Sequence, residues 1–278
     1  MRFPRKNTAS PPDIPVFAAR QLLGARERQE DQFDVTELKD GGDGKGPLLM
    51  LVADGMGGHA GGAEAAQSAV ARFAKSMAAA DGDVPAQLHT ALAAANNSIE
   101  ELVTQSPELE GAGCTLRAAI VEHGRLWWIS VGDSALYLLR NGTLTRLNDD
   151  HSMRPVFEEM VRAGRMRTTQ AATHPHRNAL RSALTGEELK LVDQSGEPLS
   201  LSVGDQVILA SDGLDTLKPR EIAQLLVRHA RRTPESAVEA LAAKIESIAS
   251  PAQDNTTMIL YRMPTDAPSA GRRRKWFF

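Results

Sequence analysis

The constraining feature of this chain is where its aspartates fall: Asp54, Asp133, Asp212 and Asp254 each adjoin a short apolar run. Asp54-Gly55 follows Leu48–Ala53, Asp133 follows Val131-Gly132, Asp212-Gly213 follows Ile208–Ser211, and Asp254 precedes the run from Thr256. Apolar runs of this length, bounded by Gly or Asp, read as buried strands rather than helices. An aspartate at the edge of a core strand adds nothing to packing, and unpaired it costs on the order of several kcal/mol. Several converging at one sheet edge would repel one another unless cations bridged them. A turn cap is the simpler account of any one, since Asp-Gly is a common turn pair. Taken together, each against a core strand, they favour convergence. Oxygen ligands select hard cations such as Mg²⁺ or Mn²⁺. Zinc prefers Cys and His, and the chain has no CxxC or HExxH.

The remaining pattern fits one layered domain. Strands are predicted over Thr115–Val121, Leu126–Val131, Leu136–Arg140, Val207–Ala210 and Thr257–Tyr261, with hairpin turns at Glu122-His123-Gly124 and Asn141-Gly142. Helices are predicted over Glu64–Ala80 and Val84–Val103 from their apolar spacing, and over Pro219–Arg231 and Pro234–Ala249, each with Pro near its start. Gly41–Pro47 reads as a loop between strands. Strand groups alternating with helix pairs suit 278 residues folded around one core region. The net charge of −3 gives no sign of a nucleic-acid binder. A lone cysteine, Cys114, cannot form an internal disulfide and reads as a packing residue, which fits a cytoplasmic protein. No run approaches the ~20 apolar residues of a membrane span. Residues 1–15 read as a loose arm with four prolines, and 264–278 as a frayed tail. The tail's basic residues and closing Trp276-Phe-Phe278 make contact with a membrane surface or partner the alternative.

Five segments, in order, resemble the metal-dependent protein phosphatase family (PPM, type 2C), and its bacterial branch in particular. They are Gly24-Ala-Arg26-Glu-Arg-Gln-Glu30-Asp31, Asp54-Gly-Met-Gly-Gly-His59, Val131-Gly-Asp133-Ser134, Ala210-Ser-Asp212-Gly213 and Asp254-Asn-Thr-Thr257. The resemblance implies an α+β fold, a four-layer αββα sandwich of two antiparallel sheets flanked by helix pairs, over residues 16–263. It implies hydrolysis of phosphoserine and phosphothreonine by a water shared between two Mn²⁺ or Mg²⁺ ions. Asp54 would bridge the metals, the Gly55 carbonyl would bind one, and Asp212 and Asp254 would complete that first site. Asp133 with Asp212 would serve a third, weaker metal. Glu30 and Asp31 would act nearby, and Arg26 would bind phosphate with its planar fork. Implied partners are phosphorylated proteins, with a serine/threonine kinase and its substrates among them.

Some positions depart from the family pattern. Met56 stands where some eukaryotic members carry a histidine proton donor, which leaves the general acid open, with His59 one candidate and a metal-bound water another. Glu64 falls one position late, about 100° round a helix, and Ala135 stands where Arg commonly follows Gly-Asp-Ser. Residues 149–188 are polar, read as irregular, and resemble the family's flap beside the active site. Its arginines 162, 165, 167, 177 and 181 predict attraction of acidic phosphopeptides, and His151, His174 and His176 read as surface or flap residues rather than zinc ligands. A catalytically silent phosphoprotein-binding adaptor is the alternative reading, disfavoured by retention of the full aspartate set. A metal-dependent phosphodiesterase or nuclease is disfavoured by the acidic pI.

Overall fold

The computed structural model describes residues 16–39, 46–57, 61–80 and 82–264. The predicted arm, the tail beyond Pro264, most of the Gly41–Pro47 loop and His59 lie outside them. In chain order the elements are β1 (Phe17–Leu22), β2 (Asp31–Glu37), β3 (Leu48–Met56), α1 (Gly61–Ala78), α2 (Val84–Gln105), β4 (Gly113–Cys114), β5 (Leu116–Glu122) and β6 (Arg125–Val131). There follow β7 (Ala135–Arg140), β8 (Thr143–Arg146), α3 (Arg154–Arg162), α4 (Thr168–Ala172), β9 (Asp193–Gln194), β10 (Leu199–Ser200) and β11 (Gln206–Ala210). A 3₁₀ turn (Asp212–Thr216), α5 (Pro219–Arg228), α6 (Pro234–Ile248) and β12 (Thr256–Arg262) complete the described chain.

The strands make two antiparallel sheets, in the orders β1-β12-β11-β7-β8 and β10-β6-β5-β3-β2, with β4 added to β3 and β9 to β6. Period-two alternation sorts their side chains. On β3, Leu49, Leu51 and Ala53 pack with Ala66, Phe73 and Leu92 of α1 and α2, whereas Met50 and Val52 pack with Leu209 and Ile259 of the opposite sheet. On β11 and β12, Ile208, Ala210, Met258 and Leu260 face Leu226, Leu241 and Ile245 of α5 and α6. Helix pair, sheet, sheet, helix pair is the four-layer arrangement expected from the sequence.

Local sequence explains the pieces. His123 and Gly124, and again Asn141 and Gly142, all take positive φ, giving the two-residue turns whose twist suits a hairpin. Pro234 opens α6 behind an N-cap Thr233 whose side chain accepts the Ser236 N–H. Among the described residues no helix is long and apolar enough to cross a membrane. Two expectations are corrected. The strand ending at Ala53 continues to Met56, because Gly55 and Met56 pair with Cys114 and Gly113 of β4, so Asp54 sits inside a strand. The flap is irregular only in part: α3 and α4 fold there, and α3 buries Phe157 while Glu158, Glu159 and Arg162 stay exposed.

Candidate active site

The face of each strand decides which aspartates meet. Asp54 continues the Met50–Val52 register and so points between the sheets. Asp31, on β2, lies directly opposite it across the ladder, where like charges repel. Asp31 is buried, and the Ser211 hydroxyl donates to its Oδ2 at 2.7 Å, linking one sheet to the segment after β11. Burial pushes the Asp31 carboxyl up to about 6. Burial, then the charges of Asp31 and Asp212, hold Asp54 well above the carboxylate range. Asp212, first residue of the 3₁₀ turn, is pushed up to about 7 by burial and then by Asp133 and Asp254, and its Oδ1 is buried without a hydrogen-bond partner among the described residues.

Close backbone approach holds these segments together. A Cβ on Gly55 would fall 2.2 Å from the Gly62 carbonyl oxygen at the start of α1, and one on Gly213 2.1 Å from that of Asn255. Only glycine permits either contact. Asn255 then fixes the β1–β2 connection: its Oδ1 accepts the Glu30 N–H at 2.8 Å and its Nδ2 donates to the Leu23 carbonyl at 2.8 Å. That connection carries Arg26, whose Nη2 donates to Asp254 Oδ2 at 2.6 Å, with side chains 54% and 36% exposed.

A cavity of about 600 Å³ is lined by Arg26, Glu30, Asp54, Gly55, Asp133, Asp212 and Asp254, so the structure brings together every predicted site residue except Asp31, buried behind Asp54. Thr115, Met56, Arg181 and Lys190 also line it, with Glu187 and Glu188. Among the described residues, no group of three or more His, Cys, Asp or Glu side chains is drawn together closely enough to hold a metal ion as it stands. Uncompensated carboxylates repel, so a cluster of this kind closes only around a cation. Asp133 differs from the others: Arg154 donates to its Oδ2 at 3.0 Å, the two side chains being 12% and 6% exposed.

Several expectations change here. Of the flap arginines only Arg181 lines the cavity, and Arg162 pairs with Glu159 at 2.7 Å, so the wall is mixed rather than positive. His151 is a buried residue and not a surface one: its Nδ1 accepts the Gly132 N–H at 3.2 Å, steadying the turn that presents Asp133. His176 is exposed and His174 packs against Phe157 with tilted rings, centroids 4.2 Å apart. Glu64 is exposed, Ala135 is buried against the α5–α6 layer, and Cys114 is buried with its thiol pushed far up by burial. Sequence reasoning missed Asn255, although it stands inside the quoted Asp254-Asn motif, and Asn96 on α2. Asn96 Oδ1 accepts the N–H groups of Thr185 and Gly186, and its Nδ2 donates to the Glu187 carbonyl, anchoring one wall of the cavity. No local pattern marks an asparagine on a helix for that work.

Comparison with known proteins agrees with the geometry. The sequence profile of the family described as protein phosphatase 2C matches residues 26–250. The serine/threonine protein phosphatase PstP of Mycobacterium tuberculosis is 38% identical over 170 residues, 61% of this chain and 32% of that protein. This chain therefore spans about a third of that relative's length. The serine/threonine phosphatase stp of Listeria welshimeri is 31% identical over 240 residues, 84% of this chain and 90% of that protein. A crystal structure of the PstP catalytic domain in complex with two manganese ions superposes with a TM-score of 0.70 at 29% identity, covering 89% of this chain and 97% of that one.

Proposed function

Because the chain belongs to the protein phosphatase 2C family, we propose that it is a metal-dependent protein serine/threonine phosphatase acting on phosphoserine and phosphothreonine. The observation that carries the reading is the meeting of Asp54, Asp212 and Asp254, from three separated segments, on one cavity, with an Asp212 oxygen left unpartnered. The donor set is all oxygen, which suits Mn²⁺ or Mg²⁺. Asp54, the Gly55 carbonyl, Asp212 and Asp254 would hold two such ions, with Glu30 and Asp31 acting nearby. When bound, the ions supply positive charge beside the phosphoryl group and lower the pKa of water at the site.

The chain's own residues do the rest. Asp31 holds Ser211 and shapes the floor beneath Asp54. Arg26 is half exposed and, among the described residues, is bonded to Asp254 on the rim, so its guanidinium can exchange that partner for phosphoryl oxygens, gripping two at once. No side-chain nucleophile is needed, and Cys114, sealed in the core, is not one. A serine/threonine kinase would supply the substrates, since hydrolysis of phosphoserine presupposes its formation.

The test is hydrolysis of a phosphothreonine peptide by wild type and Asp212→Ala, with Mn²⁺ and with EDTA. Turnover that requires Mn²⁺ and that both EDTA and the substitution abolish is expected. A well-folded wild type without turnover on several peptides would overturn the reading.

A further inference from the structure

Around Asp133 the structure carries cations of its own. Arg154, at the start of α3, bonds Asp133, lies 3.2 Å from Asp150 through Nε, and bonds Asp215 through Nη1. It thus joins the flap helix to the Gly132-Asp133 turn and to the 3₁₀ turn that begins with Asp212. Arg146, on β8, donates to the Asp133 carbonyl at 2.8 Å and pairs with Asp150 at 3.6 Å. Arg117 lies deeper, fully buried on β5, in register with Ser130 and Val52 and facing the inter-sheet layer. None of its guanidinium nitrogens has a hydrogen-bond partner among the described residues, and the charges of Asp133, Asp150 and Asp193 reach it. A buried cation without a bonded partner is tolerated only where nearby anions offset it.

Degree of exposure separates this cluster from the rest of the site. The Arg26–Asp254 pair, 54% and 36% exposed, is of the kind that water and salt readily dissolve. The Arg154–Asp133 pair, 12% and 6% exposed, is not, because parting it strands a largely buried charge. A divalent ion at Asp133 would have to displace a guanidinium that two further carboxylates also hold.

We propose that Arg154 stands in this chain where a third cation would otherwise sit: it neutralises Asp133, fastens the flap helix to the site, and leaves two metal positions rather than three. The inference rests on the two-metal phosphatase reading above. Arg154 is a positioning residue, acting on the reaction through Asp133 and the flap.

Mn²⁺ stoichiometry tests it, read by the electron paramagnetic resonance signal of free Mn²⁺ during titration into the millimolar range. Wild type is expected to bind two ions and Asp133→Asn also two. Arg154→Met is expected to gain a third, weaker ion that Arg154→Met/Asp133→Asn loses, while Arg154→Lys stays at two. A third ion on wild type that Asp133→Asn removes would overturn the proposal, as would Arg154→Met staying at two with its circular dichroism unchanged. If Arg154→Met does not fold, wild type against Asp133→Asn still decides. Wild type binding two ions without phosphatase turnover would sink the proposed function and spare this inference. Three ions with turnover would do the reverse.

Discussion

Asp54 and Asp133 open onto the same cavity and are furnished in opposite ways. Asp54 faces Asp31 across a ladder, has no arginine bonded to it among the described residues, and has its pKa raised by burial and by its acidic neighbours. Asp133 has Arg154 on its carboxylate and Arg146 on its carbonyl. Among the described residues, one aspartate has acidic neighbours and no bonded arginine, while the other is paired with one. Residue type and strand-end position, which the two share, therefore do not fix what a carboxylate does. The charges brought to it by distant segments do.

The largest expected effect is a crossover between these two residues. Asp54→Asn should cut metal-dependent turnover by about a thousandfold or more, which is ~4 kcal/mol of barrier, while the metal-free protein melts no lower, since a repulsion with Asp31 has been removed. Asp133→Asn should cost far less turnover yet lower stability by about 3 kcal/mol or more, because Arg154 and Arg117 are left with a buried excess of charge. Turnover assays and thermal melts of both variants, with and without Mn²⁺, read the comparison directly. If Asp133→Asn melts with wild type, the two aspartates are not furnished differently in any way that matters to the fold.

Next in size are the contacts that hold the Asp54 side in register without arginines. Gly213→Ala forces a Cβ onto the Asn255 carbonyl, and such overpacking costs about 1–3 kcal/mol. Asn255→Ala strips the partners from the Glu30 N–H and the Leu23 carbonyl, with a similar cost, and should raise KM because the Arg26 connection loosens. Urea melts and the KM-against-kcat split check both, and an unchanged KM would leave Asn255 a purely structural residue. Smaller still is the stability effect of Arg26→Lys, within about 1 kcal/mol for so exposed a pair. Its turnover should fall much more than its stability, since lysine cannot offer the two-pronged grip.

The comparison also marks what the sequence made legible. The Asp54, Asp133, Asp212 and Asp254 positions, the central strands and both tight hairpins are local facts: an apolar run, a Gly, an Asn-Gly pair. β1 and β2 went unpredicted because they mix polar and apolar residues at half-buried sheet edges. β9 and β10 are two-residue strands with no periodicity to read. The flap helix α3 hides its signal in a charged segment that buries little beyond Phe157. Arg117 did carry a signal, a charged residue within an otherwise apolar strand, at a position where alternation points inward. The roles of Arg154, Asn255, Asn96 and His151 carried none, because each acts on a partner outside its own local segment, from 19 residues away for His151 to 225 for Asn255.

The smallest effect expected is one of pH, and it belongs to the Asp133 side alone. His151 Nδ1 accepts the Gly132 N–H, so that nitrogen must carry no proton. Burial lowers the His151 pKa, opposed by Asp193, Asp149 and Asp150 and assisted by Arg117. An unfolded chain takes up the proton near the ordinary histidine value of ~6.5, whereas the folded chain resists it. The stability from a neutral His151 is therefore whole above that value and declines as pH falls below it, toward the lower folded pKa. His151→Gln offers an acceptor that does not titrate. With Mn²⁺ saturating, so that the carboxylates do not contribute their own opposite trend, wild type should lose melting temperature faster than His151→Gln between about pH 7 and 5.5, windows set by that reference pKa. Parallel curves would mean that the Gly132 contact survives protonation, and that the turn presenting Asp133 is held by Arg154 and Arg146 without help from the histidine.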